Sequence, residues 1–302
     1  MHNVLRTLRT AFLSAFILVA ASATLNASSL VVGGKNFTEQ YILAECAQIL
    51  LEDAGISAKT KTGVGSALAR KSLVNAQFDL YFEYTGTAYT VYYEQDDKEI
   101  MTDPQKVYDW VKKRDQEKGL VWLDPIKFNN TYTLMMRKEQ AQELDIQTIE
   151  DFGAYVDENP DAFIFATDAE FWERPDGFKG LMRTYDFRMP ANQIEKMSLG
   201  LTYKSLRDDQ VDVAMGFSTD GRIAAFGFVT LDDNRNFFPV YNPVPVVREE
   251  VLEEYPEIPE ILQPLAENLD TEQMQKLNKA VDVEHKDAKK VATQWLKDNG
   301  LI

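Results

Sequence analysis

The sequence predicts an α/β protein of two lobes. Three observations carry that expectation. Short apolar strands alternate with amphipathic helices along the first hundred residues, and the same alternation returns in the middle third. The 302 residues are enough for about two ordinary domains, and 45 % of them are hydrophobic, so two cores can be filled. The C-terminal third ends in helices that follow a proline-punctuated run, which gives the first lobe a returning segment.

In the first lobe, residues 30–33 read as a buried strand. The following helix has Ile42, Cys46, Ile49 and Leu50 at helical spacing, with Asn36 and Glu39 expected to cap its start and Gly55 its end. A strand at 59–62 leads through Gly63-Val64-Gly65-Ser66 to a helix ending near Asn75. A third strand is expected at 78–81, followed by Glu83-Tyr84-Thr85-Gly86-Thr87 as a turn. The middle third repeats this logic. Its strands are 131–137, 163–166 and 211–217, and its helices lie near 148–159, 177–185 and 202–208. Residues 237–247 hold three prolines, and helices at 259–268, 271–283 and 286–299 complete the chain. Two crossovers then join lobe 1 (28–130 with 240–302) to lobe 2 (131–239).

Residues 1–27 have the layout of a secretory signal: Arg6 and Arg9, then an uncharged run from Ala11 to Ala23, then small residues for cleavage. The expected location is the periplasm. The 48 acidic against 32 basic residues give a net charge of −16, which argues against nucleic acid and anionic membranes as partners. Cys46 is the only cysteine and falls on an apolar stripe, so it reads as a small buried hydrophobe. His285 is the only histidine past the signal and reads as a surface residue of the C-terminal helices. A histidine-based triad or a multi-histidine metal site is therefore hard to build, and neither a metal nor a cofactor is expected.

Ligands of open α/β sheets bind beyond the carboxyl ends of strands. The segments there hold Lys35, Asn36, Tyr84, Thr87, Asn130, Tyr132, Arg174, Phe217, Thr219 and Tyr241. They offer aromatic faces, two cations and hydroxyls, with no nucleophile–base pair. That inventory suits a zwitterion with a bulky cationic head. A trimethylammonium group has no N–H to donate, but ring quadrupoles attract it at about 0.5–2 kcal/mol per face. The acid end needs donors. Lys35 precedes a helix start, Thr87 opens another, and Arg174 can present a bidentate fork. Taken singly, each residue has an ordinary alternative as a core tyrosine, a solvated cation or a helix cap, so the inference rests on the set. An amino acid would instead need an acidic partner, for which Asp79, Glu83 and Asp220 are candidates. Glu39 with Glu83 could be imagined as an acid–base pair of an enzyme.

Gly34-Lys35-Asn36-Phe37-Thr38-Glu39-Gln40, Asp79-Leu80-Tyr81-Phe82-Glu83-Tyr84-Thr85-Gly86-Thr87, Arg174-Pro175-Asp176-Gly177-Phe178-Lys179-Gly180-Leu181 and Ser218-Thr219-Asp220-Gly221-Arg222 resemble the substrate-binding proteins of osmoprotectant ABC transporters, which take glycine betaine, choline and carnitine. The resemblance covers nearly the whole chain after the signal. It implies a type II periplasmic-binding-protein fold, each lobe a mixed sheet flanked by helices, with the ligand in the interlobe cleft. It further implies a monomer that hands its ligand to a permease in the inner membrane, with no catalysis. It carries an ammonium box onto Tyr84, Tyr132, Phe217 and Tyr241, and carboxylate contacts onto Lys35, Thr87 and Arg174, with Asn36, Asn130 and Thr219 behind them. Phe217 stands where the family usually has Tyr. Some relatives have an acidic residue near Asn130; the neutral amide here weakens the case for choline, and the retention of Lys35 and Arg174 favours a carboxylate-bearing betaine. Another zwitterion, choline or a sulfur-containing betaine, and a sensory ligand-binding module, remain as alternatives.

Overall fold

The computed structural model describes residues 29–302, so the expected signal segment lies outside the described residues. Strands β1 (Leu30–Lys35), β2 (Ala58–Val64), β3 (Leu80–Tyr84), β4 (Leu120–Trp122) and β10 (Pro243–Arg248) form one sheet in the order β2-β1-β3-β10-β4. Strands β5 (Tyr132–Arg137), β6 (Phe165–Thr167), β7 (Ile194–Lys196), β8 (Val213–Phe217) and β9 (Phe228–Thr230) form the other, in the order β7-β6-β8-β5-β9. Each sheet is mixed: β1 runs parallel to β2 and β3, and β10 antiparallel to β3 and β4. In the second sheet β6 is parallel to β7 and β8, and β5 antiparallel to β8 and β9.

Burial follows strand position. Central β3 is buried at all five positions, as a strand covered on both faces must be, whereas edge strand β2 buries only Ala58 and then alternates exposed and half-buried residues. Pro243 and Pro245 sit in β10, an unusual place for proline. Both face the side where the ladder to β4 has ended, so no ladder N–H is missed, and their carbonyls accept from Ile126 and Leu123 at 2.9 and 3.0 Å.

Helices cover both faces of the first sheet. The first helix, α1 (Thr38–Asp53), buries Ile42, Leu43, Cys46 and Leu50 against Leu80, Phe82, Leu262 and Trp295. Truncating a side chain such as Ile42 there would cost about 2–5 kcal/mol. The other face packs Phe78, Tyr81, Trp122, Val244 and Val246. In the second sheet the core is aromatic, with Phe165 stacked on Phe178 at 4.0 Å.

The two crossovers run side by side between the sheets. Asn130 N–H donates to Tyr241 C=O (3.1 Å), Tyr241 N–H to Asn129 Oδ1 (2.7 Å), and Asn242 Nδ2 to Phe128 C=O (2.7 Å).

Several expectations shift. The third strand begins two residues later than expected and extends to Tyr84, so Glu83 and Tyr84 end a strand rather than form a turn. Asn36 and Glu39 do not cap α1: the N-cap is Phe37 with no side-chain bond, because both Glu39 oxygens are taken by long-range donors. His285 is exposed as expected but sits between helices, with φ +56°, rather than in one. Cys46 is buried.

Candidate functional site

Strand ends from both sheets converge on a cleft of about 620 Å3, within the range of small-molecule sites. On the first-sheet side, β1 delivers Lys35 and the turn after it Asn36 and Phe37. A bulge assists here: β2 carries one extra residue opposite Gly34, with Gly63 at φ +91°, a conformation that side chains disfavour. The end of β3 delivers Tyr84, and Thr87 follows in a short helical turn. Gly86 permits this turn, since any Cβ there would lie 2.8 Å from the Tyr241 ring and from Val240 C=O. On the second-sheet side, β5 and β8 bring Tyr132 and Phe217 together as paired neighbours, and the short helix after β6 (Ala169–Glu173) with its flanking residues brings Asp168, Glu170 and Arg174. Tyr241 and Asn130 come from the crossovers.

All seven residues expected to touch ligand therefore line one cleft, together with Asn36 and Asn130. Thr219 does not line it; it is buried behind, donating to Glu39 Oε2 at 2.6 Å. Asn36 is exposed at the rim and accepts from Tyr41 Oη. One ring in the wall was not singled out from sequence. Phe37 lies 6.0 Å from Tyr84 and 5.2 Å from Phe217, and Tyr132 continues the chain at 4.9 Å from Phe217 and 5.6 Å, edge-on, from Tyr241. The clue was available: Phe37 is an aromatic residue in a strand-to-helix turn.

The cations are not free. Lys35 Nζ lies 2.5 Å from Glu83 Oε1 and 4.9 Å from the Tyr84 ring centroid. Glu83 also accepts from Tyr81 and Tyr92 hydroxyls. Arg174 forms a fork with Asp176 (Nε–Oδ1 2.8 Å, Nη2–Oδ2 2.6 Å), and Nη2 also donates to Thr87 Oγ1 at 3.2 Å. Its Cζ sits 5.3 Å from the Tyr132 centroid and 5.9 Å from that of Tyr241. Asp176 Oδ2 additionally accepts from Tyr241 Oη and Thr90 Oγ1. Burial would raise the Asp176 carboxyl, but the Arg174 charge and these donors hold it below the usual range. The fork fixes the guanidinium plane and leaves Nη1 out of the Asp176 pair; it donates to Glu170 Oε1 at 3.3 Å.

Behind the rings lies Glu39. It accepts from Tyr84 Oη (2.7 Å), Asn130 Nδ2 (2.8 Å) and Thr219 Oγ1 (2.6 Å). Burial lifts its carboxyl to about 7, against the opposing pull of those bonds. Neither Glu39 nor Glu83 lines the main cleft, so they do not form the acid–base pair that sequence allowed. Asp79, Glu83 and Asp220 are likewise committed elsewhere: Asp79 to Val31 N–H and Arg248, Glu83 to Lys35, and Asp220 to Arg222.

Two mixed sheets, paired crossovers and a cleft between strand ends define a solute-binding protein of the type II periplasmic-binding class. More narrowly, the chain belongs to the family described as "Substrate binding domain of ABC-type glycine betaine transport system", which matches residues 28–298. The family's role is binding for transport rather than catalysis. The chain is 38 % identical over 307 residues to the "Glycine-betaine-binding protein" of Pseudomonas aeruginosa, covering 100 % of this chain and 96 % of that one. It is 35 % identical to the "Glycine betaine-binding protein YehZ" of Escherichia coli, covering 95 % and 96 %. The solved apo structure of YehZ superposes with a TM-score of 0.68 at 34 % identity, over 91 % of this chain and 100 % of that one. It is 37 % identical to the "Ergothioneine transport permease/ergothioneine binding protein EgtU" of Helicobacter pylori, over 90 % of this chain and 48 % of that protein.

Proposed function

We propose that this chain captures a carboxylate-bearing quaternary-ammonium betaine in the periplasm and delivers it, as a monomer, to an ABC permease in the inner membrane. The observation that carries this reading is the contiguous wall of five rings, Phe37, Tyr84, Tyr132, Phe217 and Tyr241, in one cleft with the Asp176-braced Arg174. The rings would surround the methylated nitrogen, where several faces at about 0.5–2 kcal/mol each suffice for tight capture. Arg174 Nη1, with Thr87 and Lys35 beside it, would meet the carboxylate.

The names of the relatives support the class: glycine betaine and ergothioneine both join a trimethylammonium group to a carboxylate. The moving bodies would be residues 28–130 with 240–302, and 131–239, hinged at the paired crossovers. Against an amino acid stands the commitment of Asp79, Glu83 and Asp220 to other partners.

Calorimetric titration with glycine betaine, carnitine, ergothioneine, choline and proline tests the reading. Heat of binding for the carboxylated betaines, weaker for choline and weakest for proline, is expected. Preference for proline over every betaine would overturn it.

A further inference from the structure

Glu39 is a buried carboxylate without a countercharge. Its three hydrogen-bond donors, the Tyr84 and Thr219 hydroxyls and the Asn130 amide, are all neutral, and among the described residues no cation lies within ion-pairing distance. The charged neighbours are spoken for on every side. Lys35, at the end of β1, is held by Glu83 of β3. Arg222, after β8, is held by Asp220 and by Asp282 of the C-terminal helix Thr271–Asp282. A buried charge without a partner is costly, and Glu39 accordingly retains its proton up to about 7.

The donors are not scattered. Tyr84 belongs to the first sheet, Asn130 to a crossover, and Thr219 to the loop after β8, and two of them, Tyr84 and Asn130, also line the cleft. An ionised Glu39 would polarise the Tyr84 O–H and push electron density into a ring that lines the cleft and already has Lys35 Nζ 4.9 Å from its centroid. A ring made richer in this way attracts a cation more strongly. Conversely, a cation seated on that ring would supply the charge that Glu39 lacks.

We propose that Glu39 is the anionic element of the onium subsite, a positioning residue acting through Tyr84, and that ligand capture is linked to release of its proton. The inference rests on the reading of the ligand as an onium compound. It also changes the weight of Asn130: the neutral amide is not the end of the polar network but the link to a carboxylate behind it.

The sign follows from linkage. A bound cation favours the ionised carboxyl, so binding releases a proton and affinity rises with pH through the window around 7. A one-unit fall in the Glu39 pKa on binding would raise affinity about fivefold between pH 6 and 8, with about half a proton released per ligand at pH 6.5.

The test is titration of the full mature chain with glycine betaine at pH 6, 7 and 8, in pairs of buffers with different ionisation heats so that proton release is read directly. Wild type should show both the rise and the release. E39Q should bind at the low-pH wild-type level at every pH and release none. Two control variants, D282N and H285N, should keep the wild-type slope. Wild-type betaine binding that is independent of pH and releases no proton overturns the inference while leaving the proposed function standing. So does a slope that persists in E39Q or vanishes in D282N or H285N. Should E39Q fail to fold, the wild-type proton count still decides. Absence of betaine binding at any pH removes the proposed function and this inference with it.

Discussion

Ser66 and Glu170 meet across the cleft: Ser66 Oγ donates to Glu170 Oε1 at 2.5 Å, and Ser66 N–H approaches Oε2 at 3.4 Å. Ser66 opens the helix Ser66–Val74 on the first-sheet side, and Glu170 lies in Ala169–Glu173 after β6 of the second sheet. The acid thus satisfies a helix start that belongs to the other body, where an anion is also favoured by the helix dipole. On the proposed separation of the two lobes this contact would break, so it would serve as a latch.

Ser66→Ala removes the hydroxyl while leaving Glu170 beside Arg174. A hydrogen bond to a charged group contributes about 1.5–3 kcal/mol. The expected result is roughly tenfold faster betaine dissociation with association little changed, read by stopped-flow fluorescence. An unchanged dissociation rate would show that the latch is not engaged in the bound state.

Phe37 contributes a bare π-face between Tyr84 and Phe217. Phe37→Ala should weaken betaine about tenfold, in line with the loss of one desolvated cation–π contact, whereas Phe37→Trp should hold affinity near wild type. Equal titration curves for the alanine variant and wild type would take this ring out of the site.

Arg174 has two jobs that a double variant separates. Arg174→Ala strands Asp176 in the interior, and breaking a buried pair in this way costs about 3–5 kcal/mol of stability. It also removes the donor expected at the ligand carboxylate, so betaine should lose much more affinity than choline. Arg174→Ala combined with Asp176→Asn should recover most of the thermal stability and none of the betaine affinity. Recovery of both would reduce Arg174 to a structural ion pair.

Much of this was readable from the chain, for physical reasons that differ by residue. Tyr84, Thr87, Tyr132, Phe217 and Tyr241 each have an ordinary alternative alone, but as a set at strand ends and crossovers they pointed to the one cleft they line. Helices such as Thr271–Asp282 and Ala288–Asp298 announce themselves by period and by their Asp caps. What escaped were the partners of the buried charges. Glu39 and Thr219 are 180 residues apart and Ser66 and Glu170 are 104 apart, and no local pattern links them. Glu39 three residues after Asn36 matched a capping box, so a local rule explained it plausibly and wrongly. Asp176 lay inside a quoted motif, yet only the fold shows it holding Arg174 and Tyr241 at once.

Glu39 also leaves a mark on the empty protein. Its folded-state carboxyl, near 7, is raised above the 4.5 of an unperturbed glutamate. A raised group stabilises the fold most below its unfolded value, and that contribution is lost as pH climbs through the folded value. Wild type should therefore lose stability relative to Glu39→Gln between pH 4.5 and 7, by an amount of order 3 kcal/mol. Denaturant titrations of both proteins at pH 5 and pH 8 give the difference. Parallel stability profiles would mean that Glu39 titrates as an ordinary acid.

The most direct test of cation recognition by the ring wall compares glycine betaine with 3,3-dimethylbutanoate, in which carbon replaces the nitrogen and the charge disappears while shape and carboxylate remain. With several faces at about 0.5–2 kcal/mol each, betaine should bind at least tenfold tighter by calorimetry. Equal affinities for the two would mean that the rings provide only an apolar surface, and would contradict the account.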